Sequence, residues 1–437
     1  MALNKSPYRG TRDFFPAQMR LRNFIFQKMA EVSEKFSYEP YDGPILEEVD
    51  LYLAKSGEEL INEQIYSFID RGDRKVAIRP EMTPTVARMA AQVHREIPKP
   101  FRWYAIPNLM RYEKPQKGRL REFWQYNADI FGAPAVLGEI EMIQLAVEIM
   151  KSFGATAEQF EIQLNDRRVV DAFFKEVLKL DDEAKSKLYK VVDKVTKVDA
   201  EALKKMTTAI ITDAAKAEIF YGYLKLDTFD ALRSFLATHG LNEVTSEFIQ
   251  FMHKLEGLGL DAFVIFDPTI VRGLDYYTGI VFEIFDKHPD NRRAIAGGGA
   301  YANLLQIFNE PALAGVGFGL GEVTLTDFLT THNLLPDFSK AETDVLIAYL
   351  TPDAEKACFL LAERMRERGV KTEIVFGEAK PKKVFTQTEK KNYKAVAFIG
   401  EDELKNEVVQ VKNLATRISE NIPLVDFDRI ARTIKGL

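Results

Sequence analysis

Residues 102–132, RWYAIPNLMRYEKPQKGRLREFWQYNADIFG, hold two aromatic-rich, strand-forming runs on either side of the polar loop Lys114 to Gly118. A strand, a loop and a returning strand satisfy that pattern, and strands joined in this way pair antiparallel. A shorter version, QIYSFIDRGDRKVAIR at 64–79, turns around Asp70 to Asp73. The spacing of Leu21, Ile25, Met29, Val32 and Phe36 predicts a long helix from Leu21 to Phe36, and a second is expected over Pro84 to Val93. Between them Tyr41-Asp42-Gly43-Pro44 breaks the chain, and Ile45, Leu46 and Val49 lead into a further strand. Strand-like sequence resumes at Ala262 to Phe285. Gly297 to Gly299 and Gly315 to Gly321 mark tight backbone approach in a small-residue region.

The chain changes character twice. Residues 167–257 are rich in Lys, Asp, Ala and Leu at helical spacing, which predicts a helical insertion. After a Pro-containing polar segment, Asn333 to Glu342, the runs TDVLIAYL, DAEKACFLLAERMRERG, VKTEIVF, YKAVAFIG and NEVVQVKNL alternate strand and helix, an α/β module. At 437 residues one core is not enough, because single cores stop growing near 250 to 300 residues. The expected division is a body over 1–332, a linker over 333–342 and a module over 343–437.

Composition excludes several classes. With 46% hydrophobic and 28% charged residues the chain is an ordinary globular protein, and no apolar run reaches the length of a membrane span. A single cysteine, Cys358, rules out an internal disulfide framework, and the N-terminus has no signal-like apolar run, so the cytoplasm is the expected compartment. Five scattered histidines argue against a protein-held zinc centre. A net charge of −6 excludes a globally basic nucleic-acid-coating protein, so any RNA contact is regional and DNA is not expected as a partner. There is no GxxxxGK[ST] loop and no GxGxxG after a strand, so a nucleotide would need another kind of site.

Arg111, Arg119 and Arg121 fall near Glu113, Gln125 and Asp129 across the main hairpin, and period-two alternation puts Gln125, Asn127 and Asp129 on one strand face. A charged hairpin by itself is more often a solvated edge. Here the string is more specific. MRYEKPQKGRLREFWQYNADIFG resembles motif 2 of the histidyl-tRNA synthetases, FRYERPQKGRYREFHQ, with Trp124 where many members carry histidine. VRGLDYYTGIVFE, Val271 to Glu283, resembles that family's histidine-specific motif, and RGTRDFFP, Arg9 to Pro16, and RPEMTPTVAR, Arg79 to Arg88, resemble two more. Four matches in family order, with the C-terminal module, cover essentially the whole chain.

The resemblance implies an α+β class II synthetase body, an antiparallel six-stranded sheet with flanking helices, followed by an α/β anticodon-binding domain. It implies activation of L-histidine by ATP and transfer to tRNA(His), with Mg²⁺ accompanying the ATP and no metal held by protein alone; Glu113 is the expected protein contact for that ion or the nucleotide. Arg111 and Arg272 match the cations at the reacting carboxylate and α-phosphate. Glu81, Thr83 and Gln125 match residues holding the amino group, Asp129 and Tyr277 those bonding the imidazole nitrogens, and Tyr276 lines the same pocket. Arg121, Gly319 and Gly321 join Arg111 and Glu113 at ATP. Gln116 and Arg119 are expected at the acceptor end of the tRNA, and Lys382 and Lys383, within the cluster Lys380 to Lys394, at RNA in the last domain. The helix from Leu21 and the strand after Pro44 occupy the place of motif 1, which implies a twofold homodimer.

Two motifs depart from the family. GVGFGLGEVTL has Val323 and Thr324 where GFGLGLERL carries Glu-Arg, and GGGAYANLL has Ala300 and Ala302 where GGGRYDNL carries arginine and aspartate. An ATP contact is thereby missing, and Arg292 and Arg293 are the nearest cations in sequence that could replace it. The departures keep two alternatives open: a non-catalytic histidine sensor resembling the regulatory subunit of ATP phosphoribosyltransferase, and an RNA-binding control protein. The former typically lacks the C-terminal module and the motif 2 arginines, both present here.

Overall fold

The computed structural model describes residues 3–53, 64–241, 243, 246–271, 276–339, 342–388 and 391–436. The chain divides into two compact units, Met1–Asp13 with Arg22–Leu335, and Phe14–Leu21 with Pro336–Leu437.

The helix α1, Pro16–Lys35, which belongs to the first unit from Arg22 on, starts five residues before the hydrophobic pattern because proline's fixed φ suits a first helical position. After β1 (Glu39–Pro40), the segment beyond Pro44 gives only a three-residue strand, β2 (Leu46–Glu48); Val49 begins the short helix α2 (Val49–Leu53), burying Val49 and Tyr52. β3 (Tyr66–Ile69) and β4 (Lys75–Ile78) form the expected hairpin. Its turn is closed by Asp70, whose Oδ1 accepts from the Gly72 and Arg74 amides at 2.8 and 3.0 Å. These strands join β2 in a small separate sheet. Then follow α3 (Thr83–Val93), β5 (Phe101–Ala105), β6 (Asn108–Met110) and β7 (Glu122–Phe131).

The main sheet is completed after α4 (Leu137–Ser152) by β8 (Phe160–Asp166) and, beyond the helical segment, by β9 (Val264–Phe266), β10 (Ile280–Asp286), β11 (Ala296–Tyr301) and β12 (Gly315–Gly321). Its six central strands, β5-β7-β12-β11-β10-β8, are antiparallel throughout. β1 and β9 extend the two edges in parallel, and β6 pairs with β7.

Between β8 and β9 the described chain is helical: α5 (Arg167–Ala172), α6 (Asp182–Val192), α7 (Ala200–Thr208), α8 (Ala214–Tyr223), α9 (Phe229–Thr238) and α10 (Ser246–Gly257). The acidic residues punctuating this segment have a local purpose. Asp166, Asp181, Asp199 and Asp213 each accept a hydrogen bond from an amide of the first turn they precede, and Thr228 does the same for α9. Such caps each contribute about 1 kcal/mol.

Alternation along β7 separates two environments. Tyr126 is buried on the helix side, where its hydroxyl meets Ser33 Oγ of α1 at 2.7 Å while Ser33 donates to the Met29 carbonyl. Trp124 shares that side, 6.5 Å from Phe26 and beneath the Arg22 guanidinium, so the aromatic that replaces the family's histidine packs on α1. Gln125, Asn127 and Asp129 face the other way and line a cavity.

The second unit holds β13 (Glu342–Tyr349), α12 (Glu355–Glu367), β14 (Thr372–Ile374), α13 (Pro381–Thr388), β15 (Asn392–Ile399), α14 (Glu401–Lys405), β16 (Val408–Asn413), β17 (Ser419–Pro423) and α15 (Phe427–Lys435), after α11 (Glu322–Thr331) ends the first. The sheet order is β14-β13-β15-β16-β17. Val345, Ile347 and Ala397 pack with Cys358, Leu361 and Ile430, while Leu346, Val396 and Phe398 pack with Val384 on the opposite face. Both faces are covered, as parallel strands require. No described helix is long and apolar enough to cross a membrane.

In the first sheet β11 lies so close to β12 that a Cβ at Gly298 would fall against the Gly317 carbonyl oxygen and 2.7 Å from Phe318 Cα. Gly298→Ala is therefore expected to destabilise the first unit by about 1–3 kcal/mol, read as a lower urea midpoint; an unchanged midpoint would contradict this packing.

Candidate active site

The cavity has a volume of about 930 Å³ and is walled by β7, β11, β12, the start of α3, the loop after β6 and residues 192–197 of the helical segment. Its floor is made by what β12 lacks. Gly315, Gly317 and Gly319 put no side chain on the cavity face, and three side chains occupy the space. A Cβ at Gly315 would strike the Tyr301 ring, one at Gly317 the Asp129 carboxylate, and one at Gly319 would lie 2.8 Å from Gln125 Cδ.

Asp129 sits in this floor, buried, and its Oδ1 accepts a hydrogen bond from the Tyr301 hydroxyl. Burial pushes its carboxyl up to about 7, and the Tyr301 donation works in the opposite direction by favouring the ion. Tyr276 and Tyr277 line the same cavity, with ring centroids 4.6 Å apart, and Tyr276 stands edge-on to Tyr301 at 6.1 Å. The Tyr276 hydroxyl is 3.5 Å from Thr83 Oγ1 at the first position of α3. Glu81, buried just before that helix, completes this end. Expected imidazole and amino contacts Glu81, Thr83, Gln125, Asp129, Tyr276 and Tyr277 thus all line one cavity.

The other end is basic. Arg111 donates from Nε to the Pro80 carbonyl at 2.9 Å and lies 5.3 Å from the Phe123 ring centroid. Burial pulls its guanidinium below the usual range, against Glu81 and Glu113. Glu113 is buried and paired with Arg119 at 2.6 Å. Gly319 and Gly321 line the same end, with Val323 and Thr324. The Thr324 hydroxyl is turned back to the Gly321 and Ile295 carbonyls at 3.1 and 3.3 Å.

Other expected residues lie elsewhere. Arg121 is not in the cavity wall: it donates to the Glu113 carbonyl at 3.1 Å and to the Tyr8 hydroxyl at 2.7 Å, and covers the Tyr112 ring. Arg119 takes the inward place. Gln116 is exposed at the tip of the loop, where its backbone pairs with Arg119. Arg272 lies outside the described residues, as does Lys390. In the second unit Lys382 and Lys383 are exposed on α13, whereas Lys391 and Lys394 are held by Glu373 and Asp344 at 2.5 and 2.9 Å. Among the described residues no group of three or more His, Cys, Asp or Glu is placed to hold a metal.

Tyr301 is a cavity residue that the sequence motifs did not single out. The signal was present: in GGGAYANLL it lies two residues after Gly299, on the same strand face, and it opposes Gly315 of β12.

Comparisons with known proteins fit this geometry. A family model described as "Histidyl-tRNA synthetase" matches residues 10–324, and one described as "Anticodon binding domain" matches residues 344–434. A histidine–tRNA ligase of Leptospira biflexa is 43% identical over 95% of this chain and 94% of that protein, and one of Opitutus terrae is 37% identical over 97% of each. The crystal structure of histidyl-tRNA synthetase from Nostoc sp. PCC 7120 covers all of both chains with a TM-score of 0.82 at 20% identity, a likeness of fold. A synthetase catalytic body followed by an anticodon-binding domain is the make-up of an aminoacyl-tRNA synthetase. Within that class the chain belongs to the histidyl-tRNA synthetase family.

Removing the Tyr301 hydroxyl takes away the donation that favours ionised Asp129, so Tyr301→Phe should move the carboxyl still higher than about 7. A carbon-13 carboxyl titration reads this directly. The linkage sign follows from the raised value: protonated Asp129 favours the folded state below about pH 4, and that contribution is lost as pH rises through about 7.

Proposed function

We propose that this chain is an ATP-dependent histidine–tRNA ligase, activating L-histidine to histidyl-adenylate and passing it to the 3′ end of tRNA(His). The observation that carries the reading is the cavity's polarity: buried Asp129 and Glu81 with Thr83 and the tyrosines at one end, arginines at the other. Asp129 and Tyr277 pair with the two imidazole nitrogens, while Glu81, Thr83 and Gln125 hold the amino group. Amino acids without such donors would leave these buried groups unpaired, which rejects them strongly.

The histidine carboxylate is already ionised and needs no general base. Its oxygen bonds to the α-phosphorus of ATP as the bond to the departing pyrophosphate breaks; alignment and charge stabilisation carry the catalysis. Arg111 holds α-phosphate oxygens with its planar fork, Arg272 acts beside it, and Gly319 and Gly321 let the nucleotide approach the backbone. The terminal ribose hydroxyl of the tRNA then attacks the carbonyl carbon of the adenylate, and AMP leaves. Mg²⁺, a hard ion that takes one or two carboxylates and phosphate oxygens, suits the oxygen donors of Glu113 and a bound triphosphate; when bound it supplies charge neutralisation for the pyrophosphate. Gln116, exposed on the loop beyond β6, meets the acceptor end, and Lys382 and Lys383 meet the tRNA from the C-terminal module. The reading includes a homodimer in the cytoplasm. A histidine-sensing regulatory role is disfavoured by Arg111 and Arg119 in the cavity wall and by the match to an anticodon-binding domain.

Exchange of pyrophosphate into ATP, assayed with magnesium and each amino acid in turn, tests this. Histidine alone should support exchange, and Arg111→Ala should reduce it by roughly a hundredfold or more while leaving histidine binding measurable. Exchange with several amino acids, or none with histidine, would overturn the proposal.

A further inference from the structure

Of the four arginines that line the cavity, three approach a partner through Nε, Arg111 and Arg293 in hydrogen bonds and Arg119 in an ion pair. Arg111 Nε donates to the Pro80 carbonyl at 2.9 Å, Arg119 Nε meets Glu113 Oε2 at 2.6 Å, and Arg293 Nε donates to the Lys117 carbonyl at 3.1 Å. A guanidinium fixed at Nε keeps its two terminal nitrogens as a fork. Among the described residues, those of Arg111 and Arg293 hold no hydrogen bond.

Arg293 reaches the basic end from the connection between β10 and β11, and that connection is stiffened. The buried Asp286 carboxylate accepts from the His288 amide and the Asn291 side chain, both at 2.7 Å, and pairs with His332 at 2.8 Å. The Arg293 stem then lies on Gly118, whose positive φ and bare Cα leave it room: a Cβ there would sit 2.9 Å from Arg293 Cδ and 3.5 Å from Thr324 Cγ2. The guanidinium therefore occupies the corner beside Thr324, where the side chain of residue 324 itself is neutral and bonded back to its own backbone.

Charge marks the corner as incomplete. Burial pulls the Arg293 guanidinium below its usual range and Arg119 repels it, with Glu113 in partial opposition. Glu113 and Arg119 also act on Arg111, so they are neighbours of both cations. Two partly desolvated cations, Arg111 and Arg293, with the exposed Arg119 beside both, favour an extended polyanion.

We propose that Arg293 binds the terminal phosphates of ATP, supplying from the β10–β11 connection the cation that position 324 does not carry. The inference rests on the adenylation reading for its ligand. Arg111 takes the α-phosphate end, near Glu81 and the amino-acid pocket, and Arg293 the end remote from it.

The test is calorimetric binding of MgATP, AMP and histidine to the full chain and its Arg293→Gln and Arg293→Lys variants, alongside histidine-dependent pyrophosphate exchange. Arg293→Gln should weaken MgATP about tenfold to a hundredfold, leave AMP and histidine within twofold, and be partly restored in Arg293→Lys. MgATP affinity within twofold of the parent would overturn the proposal, and so would an equal loss for AMP, which would mark Arg293 as a brace for the loop. Parent protein that binds MgATP in an Arg293-dependent way yet gives no exchange would sink the adenylation reading and leave this one standing. Failure of the parent to bind MgATP would overturn both.

Discussion

A carboxylate can be buried at Asp129 because the neighbouring strand has surrendered its side chains. In an antiparallel pair the cavity-facing positions of β12 would normally fill the space in front of β7. Glycine at 315, 317 and 319 instead leaves room for Tyr301, Asp129 and Gln125, each of which would collide with a Cβ on the opposing strand. Once there, Asp129 is costly to ionise, and the Tyr301 hydroxyl offsets part of that cost. The other face of the same strands keeps Phe318, Tyr126 and Phe282 in contact, so only the cavity face is built on glycine.

The basic end is organised by tethering. Arginine side chains carry large rotamer entropy, and a fork held at Nε has already lost much of it before a ligand arrives. The tethers come from different parts of the chain: the carbonyl before α3, the Glu113 carboxylate, and the loop carbonyl at Lys117. The 114–120 loop therefore links two of these arginines, through Arg119 on one side and Gly118 with Lys117 on the other. Substitutions in that loop would be felt at both arginines.

Much of this was legible in the residues. The hairpin around Lys114 to Gly118, the face shared by Gln125, Asn127 and Asp129, and the helical run after β8 follow from period and turn chemistry. Trp124 lies on the helix side for the same reason. What escaped were features set by tertiary neighbours. The strand expected after Pro44 is cut short because Val49 and Tyr52 bury themselves as a helix against β4. Arg119 and Arg121 share strand-edge spacing, but Tyr8, Tyr112 and the Glu113 carbonyl draw Arg121 away from the cavity, contacts that no local pattern announces. Tyr301 needed the register of β11 against β12 before its partner could be seen.

The glycine face of β12 is the claim on which the site stands, and a histidine titration of Gly317→Ala by calorimetry tests it most directly, with MgATP binding as the control for an intact basic end. The added methyl falls on the Asp129 carboxylate, so histidine affinity should drop on the order of tenfold or more while MgATP affinity is retained. Histidine binding equal to that of the parent protein would contradict the account, since Asp129 would then not be reading the ligand from the place this floor gives it.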